Sequence, residues 1–380
     1  ISYPYEWSFS MLKQAALLTL KIQQRALSHG MSLKDATAYN VQFEGARAIF
    51  IDTLSFEPYQ EGRPWIAYGQ FCQHFLAPLA LMTWKDIRMN GLLQTQLDGV
   101  PLDLAVKLLP WRALLRPGLM MHLWLHSKAV RKHQGTAEPS QEKSESRGLS
   151  KRGLLGILES LERTIQSLTW KPKGTEWVDY YSDCTYTEAM RDSKASWLKS
   201  TLEQIQPSTV WDLGANTGLY RRVARECGAY VVSLDIDPAC VEKNYLQGAS
   251  RKEDRVLPLC MDLTNPSPGL GWAHRERSTL TDRGPADAIL ALALIHHLAL
   301  GNNVPLSMIA EWFRKLGRTA IVEFVPKDDV QSQRLLQSRE DVFPDYHQEG
   351  FEAAMSAHFR IVDQQEVPES GRVLYHFEAE

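Results

Sequence analysis

Beyond residue 200 the apolar positions gather into short, nearly continuous runs, and between them the spacing turns helical. The runs are Thr209–Leu213, Tyr230–Leu234, Arg255–Met261, Ala286–Ala291, Thr319–Val325, Arg360–Val367 and Arg372–Glu378. The helical segments between them are Gly218–Cys227, Pro238–Gln247, Leu306–Leu316 and Phe351–His358. Nearly unbroken apolar runs are expected of parallel strands covered on both faces. Their alternation with helices predicts βαβ units. Only Pro368-Glu-Ser-Gly371 separates the last two runs, which predicts a hairpin. The expected fold of this half is α/β, a doubly wound seven-stranded sheet with a C-terminal antiparallel hairpin.

The first 133 residues read as mainly helical. Ser10–Ser28 places Leu12, Ala15, Ala16, Leu18, Leu20 and Ile22 at helical spacing. A β-hairpin is expected across Val41-Gln-Phe and Ala48-Ile-Phe-Ile-Asp52. Gln134–Gly148 is polar and lacks a large apolar side chain, the composition of a linker. Leu149–Leu168 is again helical and leads toward the sheet. The expected organisation is therefore an accessory domain over 1–133, a linker over 134–148, and the sheet domain over 149–380.

The chemistry concentrates where the first run ends. Val210-Trp-Asp-Leu-Gly-Ala-Asn-Thr-Gly218 turns through Gly214 and Gly218, and Tyr230-Val-Val-Ser-Leu-Asp-Ile-Asp237 ends a second run on Asp235. Glycine tolerates positive φ and lets main chain approach a ligand closely. A carboxylate about twenty residues past such a turn can accept both hydroxyls of a ribose. The dinucleotide fingerprint G-x-G-x-x-G is not met, because Gly214-Ala-Asn-Thr-Gly218 lacks its second glycine. Asp212 before the turn would repel a pyrophosphate and suit a cationic amino group.

With Trp211, Asp212, Gly214 and Gly218 in the order apolar-x-Asp-x-Gly-x-x-x-Gly, the sequence resembles the class I S-adenosylmethionine-dependent methyltransferases. The resemblance implies a methyltransferase-type, Rossmann-like sheet. It implies that Asp212, Gly214, Ala215, Asn216 and Gly218 surround the methionine part of the cofactor, and that Asp235, with Ile236, holds the ribose. Val256-Leu-Pro-Leu-Cys-Met-Asp262 then puts Asp262 at the adenine amine and Leu263 beside the ring. Ala291, closing the fourth run, is a further cofactor contact. Tyr186 and Lys194, from the segment before the first strand, are candidate lid residues.

Ligands in such sheets sit beyond the carboxyl ends of the strands. There, Ala291-Leu-Ala-Leu-Ile-His296-His297 offers two imidazoles, and either can serve as general base near neutral pH. Adjacent residues seldom face one pocket together, so one of the two is expected to be structural. Glu323 ends the fifth run; it lies near the pocket or is paired with a basic residue. Ser338–His347 mixes aromatics and charges and is a candidate acceptor loop, with Phe343 alternatively packed inward. The exocyclic-amine motif Asn/Asp-Pro-Pro-Tyr is absent after the fourth run. That argues against adenine or glutamine as acceptor and leaves O-, C- and other N-acceptors open.

Composition narrows the partners. The 380 residues suffice for two domains, and 44% apolar content with 11 Trp argues for well-filled cores. A net charge of −3 without a basic stripe gives no field for nucleic acid. A small-molecule or saccharide-type acceptor is expected instead. No apolar run reaches membrane-spanning length. Cys72, Cys184, Cys227, Cys240 and Cys260 show no C-x-x-C spacing, so a reducing, cytoplasmic setting and no structural zinc are expected. The chain begins at Ile1 without Met, and further residues upstream are expected.

A second resemblance lies near the N-terminus. Asn40 follows Asp35 by five positions and a hairpin then leads to Asp52, as in the catalytic loop of the protein-kinase-like fold. It implies Asp35 near a hydroxyl and Asn40 with Asp52 on Mg²⁺. The usual His before the Asp, the Phe-Gly after the metal Asp and a glycine-rich phosphate loop are missing. Across nearly its whole length the chain is also similar to bacterial nodulation-protein-like methyltransferases, through Ile1–Ser10, Ala291–Pro305 and Arg339–Tyr346. The leading expectation is methyl transfer from S-adenosylmethionine, with S-adenosylhomocysteine as product. Phosphotransfer through Asp35, Asn40 and Asp52, or a cofactor-binding scaffold without catalysis, are the alternatives.

Overall fold

Phe9–Ser28 forms one long helix (α1) that buries Leu12, Ala15, Ala16, Leu20 and Leu27. After it, Met31–Leu33 pairs antiparallel with Phe56–Pro58, and Val41–Glu44 pairs antiparallel with Arg47–Phe50. The expected hairpin is therefore present, and short helices follow to Gln134. The computed structural model describes residues 1–134, 149–172, 187–337 and 340–379. Most of the expected linker, and Tyr186, lie outside the described residues. No helix among the described residues is long and apolar enough to cross a membrane.

The helix Lys151–Ser167 (α2) departs from the sequence expectation. Rather than leading into the sheet, it packs on α1 within a compact unit of residues 1–171; the second unit is 172–380. Its apolar stripe of Leu154, Leu158, Leu161 and Ile165 is buried in the first unit. The Lys13 ammonium on α1 donates to the carbonyls of Gln166 (2.9 Å) and Leu168 (2.8 Å) at its C-terminal end. Burying that stripe on α1 sets the boundary, and linker composition does not.

In the second unit Glu188–Ile205 (α3) precedes the sheet, its first turn capped by the Thr187 hydroxyl. The strands are Thr209–Leu213 (β1), Tyr230–Asp235 (β2), Val256–Cys260 (β3), Ala286–Ala291 (β4), Gly317–Phe324 (β5), Phe359–Glu366 (β6) and Val373–Ala379 (β7). Their spatial order is β6-β7-β5-β4-β1-β2-β3. The five strands from β5 to β3 across the sheet are parallel, while β7 runs antiparallel to both β5 and β6. This is the methyltransferase-type, Rossmann-like sheet with its C-terminal hairpin. The order in which successive strands are added reverses between β1 and β4, the switch point at which such sheets bind ligands.

The connecting helices are Arg221–Glu226 (α4), Pro238–Ser250 (α5), Leu306–Leu316 (α6), Val330–Leu336 (α7) and Gln348–Ser356 (α8). Helix α5 starts sharply because Asp237 caps the Ala239 amide and Pro238 occupies the first turn. Helix α4 is shorter than its sequence pattern. Asn216 and Gly218 both have positive φ, at 49° and 83°, which keeps the turn out of helical geometry. Helix α7 was not legible as a helix; the Asp329 side chain accepts from Gln331 N and starts it.

Candidate active site

The turn after β1 is held by backbone. The amides of Gly214 and Ala215 both donate to Leu234 O, at 2.9 and 3.0 Å. Gly214 has φ 74°, and a Cβ there would stand 3.2 Å from Leu294 Cδ1. The Asn216 amide donates to Asp235 Oδ2 at 2.6 Å and the Asp237 amide to Oδ1 at 2.8 Å. These two bonds orient Asp235 yet use only about half of a carboxylate's acceptor capacity. Burial pushes the Asp235 carboxyl up to about 6 against the opposing effect of those amides.

A cavity of about 310 Å³ opens at the carboxyl edge of β1, β2, β3 and β4. Its wall brings together seven residues singled out by sequence: Gly214, Asn216, Asp235, Ile236, Asp262, Leu263 and His297. Asp262 is fixed by its own turn, Oδ1 accepting from Thr264 N (2.8 Å) and Thr264 Oγ1 (2.6 Å). Ile236 is 59% exposed beside it, an apolar side chain kept at the rim of a polar cleft.

Met261, Thr264, Ala293, Leu298 and Asn302 also stand on the wall, though none was a sequence candidate for the site. Leu292 and Leu294 also line it. Ala293 bends the chain at φ 51° after β4, and no glycine marks the bend. Thr264 had one available signal, its place two residues after Asp262, where an Asx turn is common.

Other sequence candidates stand elsewhere. Asp212, expected to face the ligand, is buried in β1 behind the turn and is not on the wall. Burial pushes its carboxyl up to about 7, with Arg221 opposing and Asp235 reinforcing. Its Oδ2 has no hydrogen-bond partner among the described residues. The Ala215 amide is consumed by Leu234 O, and Ala291 is buried inside β4, one residue before the wall begins. Gly218 serves packing: a Cβ there would meet Arg221 Nε at 2.3 Å and Asn244 Nδ2 at 2.8 Å. Arg221 is buried and paired with Glu253 at 2.8 Å.

The histidines divide. His297 lines the cavity, and burial lowers its pKa to about 4, so it is neutral near pH 7. His296 lies behind it, fully buried, with ring centroids 4.1 Å apart. Burial, His297 and Lys194 together hold His296 well below the usual range. Neither of its ring nitrogens has a hydrogen-bond partner among the described residues.

Glu323 and Lys194 meet each other instead of the cavity. The Lys194 ammonium donates to Glu323 Oε2 at 2.5 Å, and Arg372 Nη1 donates to Oε1 at 3.4 Å. Arg372 also forks Asp329, at 2.8 and 3.0 Å. Lys194, Glu323 and Arg372 are all buried. Of the two sequence readings for Glu323, pairing with basic residues is the arrangement present. Lys194 is drawn away from the lid role by the same pair.

A second cavity, of about 750 Å³, lies at the N-terminal ends of α6 and α8 and is walled by the Val342–His347 segment. Lys327 Nζ anchors that segment, donating to Asp341 (2.8 Å) and to Phe343 O (2.5 Å). The Tyr346 hydroxyl donates to Val325 O at 2.7 Å. In the first unit, Asn40 Nδ2 reaches Asp35 O (3.4 Å) and Ser55 Oγ (3.3 Å), and Ser55 Oγ in turn donates to Asp52 Oδ2. No group of three or more His, Cys, Asp or Glu among the described residues is placed to hold a metal ion.

No protein-family model matches the chain. Magnesium protoporphyrin IX methyltransferase (ChlM) from Synechocystis PCC 6803, solved with bound SAH, is 18% identical over 53% of this chain and 92% of its own, with a TM-score of 0.38. The N-methyltransferase NodS from Bradyrhizobium japonicum WM9 is 11% identical over 50% of this chain and 97% of its own, also at 0.38. The nodulation protein NoeA of Rhizobium meliloti (strain 1021) is 40% identical over all 380 residues, covering 80% of that protein. The chain therefore belongs to the NoeA family of nodulation proteins.

Proposed function

We propose that the second unit transfers a methyl group from S-adenosylmethionine to a small, uncharged, hydroxyl-bearing acceptor of saccharide type. The carrying observation is the cavity wall, in which Asp235 and Asp262 follow adjacent strands and flank Ile236 and Leu263 beyond a close-packed glycine turn. The residues fit that cofactor. Asp235 keeps acceptor capacity for two ribose hydroxyls, and Asp262 is an acceptor for an exocyclic amine. Ile236 and Leu263 supply apolar cover for a ring.

When bound, the cofactor supplies an electrophilic methyl sulfonium. The chain's own contribution is positioning and exclusion of water. His297, neutral and on the wall, accepts the proton of an acceptor hydroxyl; His296 positions it from behind. The 750 Å³ cavity is the acceptor's place in this reading. Its wall carries Asp345 and Glu349 but no Lys or Arg, which disfavours anionic acceptors. A reducing, cytoplasmic setting belongs to the same reading and is supported by free Cys72, Cys227, Cys240 and Cys260.

Calorimetric titration with S-adenosylhomocysteine tests the reading. Saturable heat is expected, and Asp235→Ala should abolish it in a protein that still folds, at a lower unfolding midpoint because the Asn216 and Asp237 amides lose their acceptor. No heat in the unaltered protein would sink the reading and leave a scaffold role. A radiolabelled-methyl screen of neutral and carboxylated saccharides then tests the acceptor class.

One observation favours a second reading. Ser55 links Asn40 and Asp52 at the base of an antiparallel hairpin, and Asn40 also reaches the Asp35 carbonyl, which supports a kinase-like reading of these residues. Phosphotransfer requires Mg-ATP to stabilise the protein thermally; an unshifted midpoint eliminates it.

A further inference from the structure

We infer that the first unit contains a binding site for a phosphorylated, hydroxyl-bearing small molecule, separate from the methyl-transfer reading. A cavity of about 650 Å³ lies between α2 and the segments around Trp84 and Arg116. That volume is in the range of small-molecule sites. Its charge is one-sided: Arg116 and Arg163 are on the wall and no Asp or Glu is. Among the described residues neither guanidinium has an ion-pair partner. Glu162, next to Arg163 in sequence, is engaged by Gln24 (3.2 Å) and Gln166 (3.2 Å). Lys13, held on the Gln166 and Leu168 carbonyls, adds positive charge beside the wall.

The donors are also arranged for an anion. Arg116 lies over Trp84, its guanidinium carbon 5.7 Å from the ring centroid, and a guanidinium offers a planar fork of N–H donors that suits an oxyanion. Trp84 Nε1 and Thr83 Oγ1 are buried and have no hydrogen-bond partner among the described residues. A buried indole N–H can only donate, so it offers a donor to any acceptor that reaches it. On the same helix as Arg163, the hydroxyls of Thr164 and Ser167 donate to helix carbonyls of α2, both at 2.7 Å, which leaves their oxygens as acceptors. Lone pairs there suit ligand hydroxyls. The cavity thus carries donors for a tetrahedral oxyanion together with hydroxyl oxygens for a polyol body.

Glucose 1-phosphate, inorganic phosphate and glucose, each titrated calorimetrically into the full chain at constant ionic strength, form the test. Saturable binding of glucose 1-phosphate is expected, with inorganic phosphate at least about tenfold weaker and glucose giving no heat. Arg163→Gln and Arg116→Gln should each weaken it by about tenfold or more, the effect of one charged hydrogen bond. Both side chains are exposed, so these variants should fold as the parent does. Absence of saturable binding, or binding indifferent to both variants, would overturn the site. Inorganic phosphate binding as tightly as the ester would overturn its assignment to an organic phosphate. S-adenosylhomocysteine affinity should stay within about twofold in both variants, at the precision of calorimetric constants, so failure here is separable from failure of the proposed function.

Discussion

The two halves of the large sheet use acids at their strand ends in opposite ways. On the β1–β3 side, Asp235 and Asp262 stand on a cavity wall, oriented by backbone amides and a threonine but unpaired with any described base. On the β5–β7 side, Glu323 is clasped by Lys194 and Arg372, and Asp329 by Arg372. Both groups stand at or near the ends of apolar strands, and Asp235 is buried as Glu323 is. The difference lies in who neutralises them. Acids held by neutral donors keep acceptor capacity for a ligand. Acids held by buried cations have become part of the scaffold, tying α3 to β5 and β7. A strand-end carboxylate is therefore a ligand candidate only when no buried base claims it.

The sharpest way to break this comparison is Glu323→Ala. It leaves Lys194 and Arg372 buried without their shared carboxylate, and such losses cost about 3–5 kcal/mol. Urea unfolding should register that loss. A change below about 1 kcal/mol would show that the pair is solvated and the contrast false. Asp235→Asn comes next and inverts the pattern. Stability should fall by about 1–3 kcal/mol, less than for Glu323→Ala, since one of the two backbone amides then faces an NH2 that cannot accept. S-adenosylhomocysteine affinity should drop by about tenfold to a hundredfold, the value of charged hydrogen bonds.

Gly214→Ala sharpens the role of backbone on the cavity side. Its φ of 74° and the 3.2 Å approach to Leu294 predict a destabilisation of about 1–2 kcal/mol. Weaker cofactor binding should accompany it, measurable in the same titration. The smallest effect is a pH dependence. The folded Asp235 carboxyl titrates at about 6, above the ordinary carboxylate, so the free protein takes up a proton there as pH falls. A ligand that needs the ionised acceptor must compete with that proton. Affinity should thus be flat above pH 7 and fall below pH 6, by at most about tenfold per pH unit for one group. Asp235→Asn should flatten this limb; an unchanged limb would assign it to Asp212, which titrates at about 7.

Much of the second unit was legible because its signals are local. β1, β4 and α6 match their apolar patterns residue for residue, and the Pro368–Gly371 turn announces the antiparallel hairpin. Gly214, Asp235 and Asp262 were legible because each ends a strand, and strand ends converge on one edge of a parallel sheet. Lys194 and Glu323 could not be sorted this way. They are 129 positions apart, and nothing in either neighbourhood announces the other. Asp212 misled for a related reason: alternation along β1 decides which side it faces, and that side lies behind the turn.

What the sequence alone determined is periodicity, the turns, and the order of strand-end acids, all set within a few residues by sterics and hydrophobic burial. Pairing needed the tertiary structure. Only packing shows that α2 buries its stripe on α1, that His297 reaches the cavity while His296 stays behind it, and that Arg116 and Arg163 share a cavity without an acid. Those outcomes depend on which distant side chains share a low-dielectric interior, where a buried charge must find a partner or remain available to a ligand.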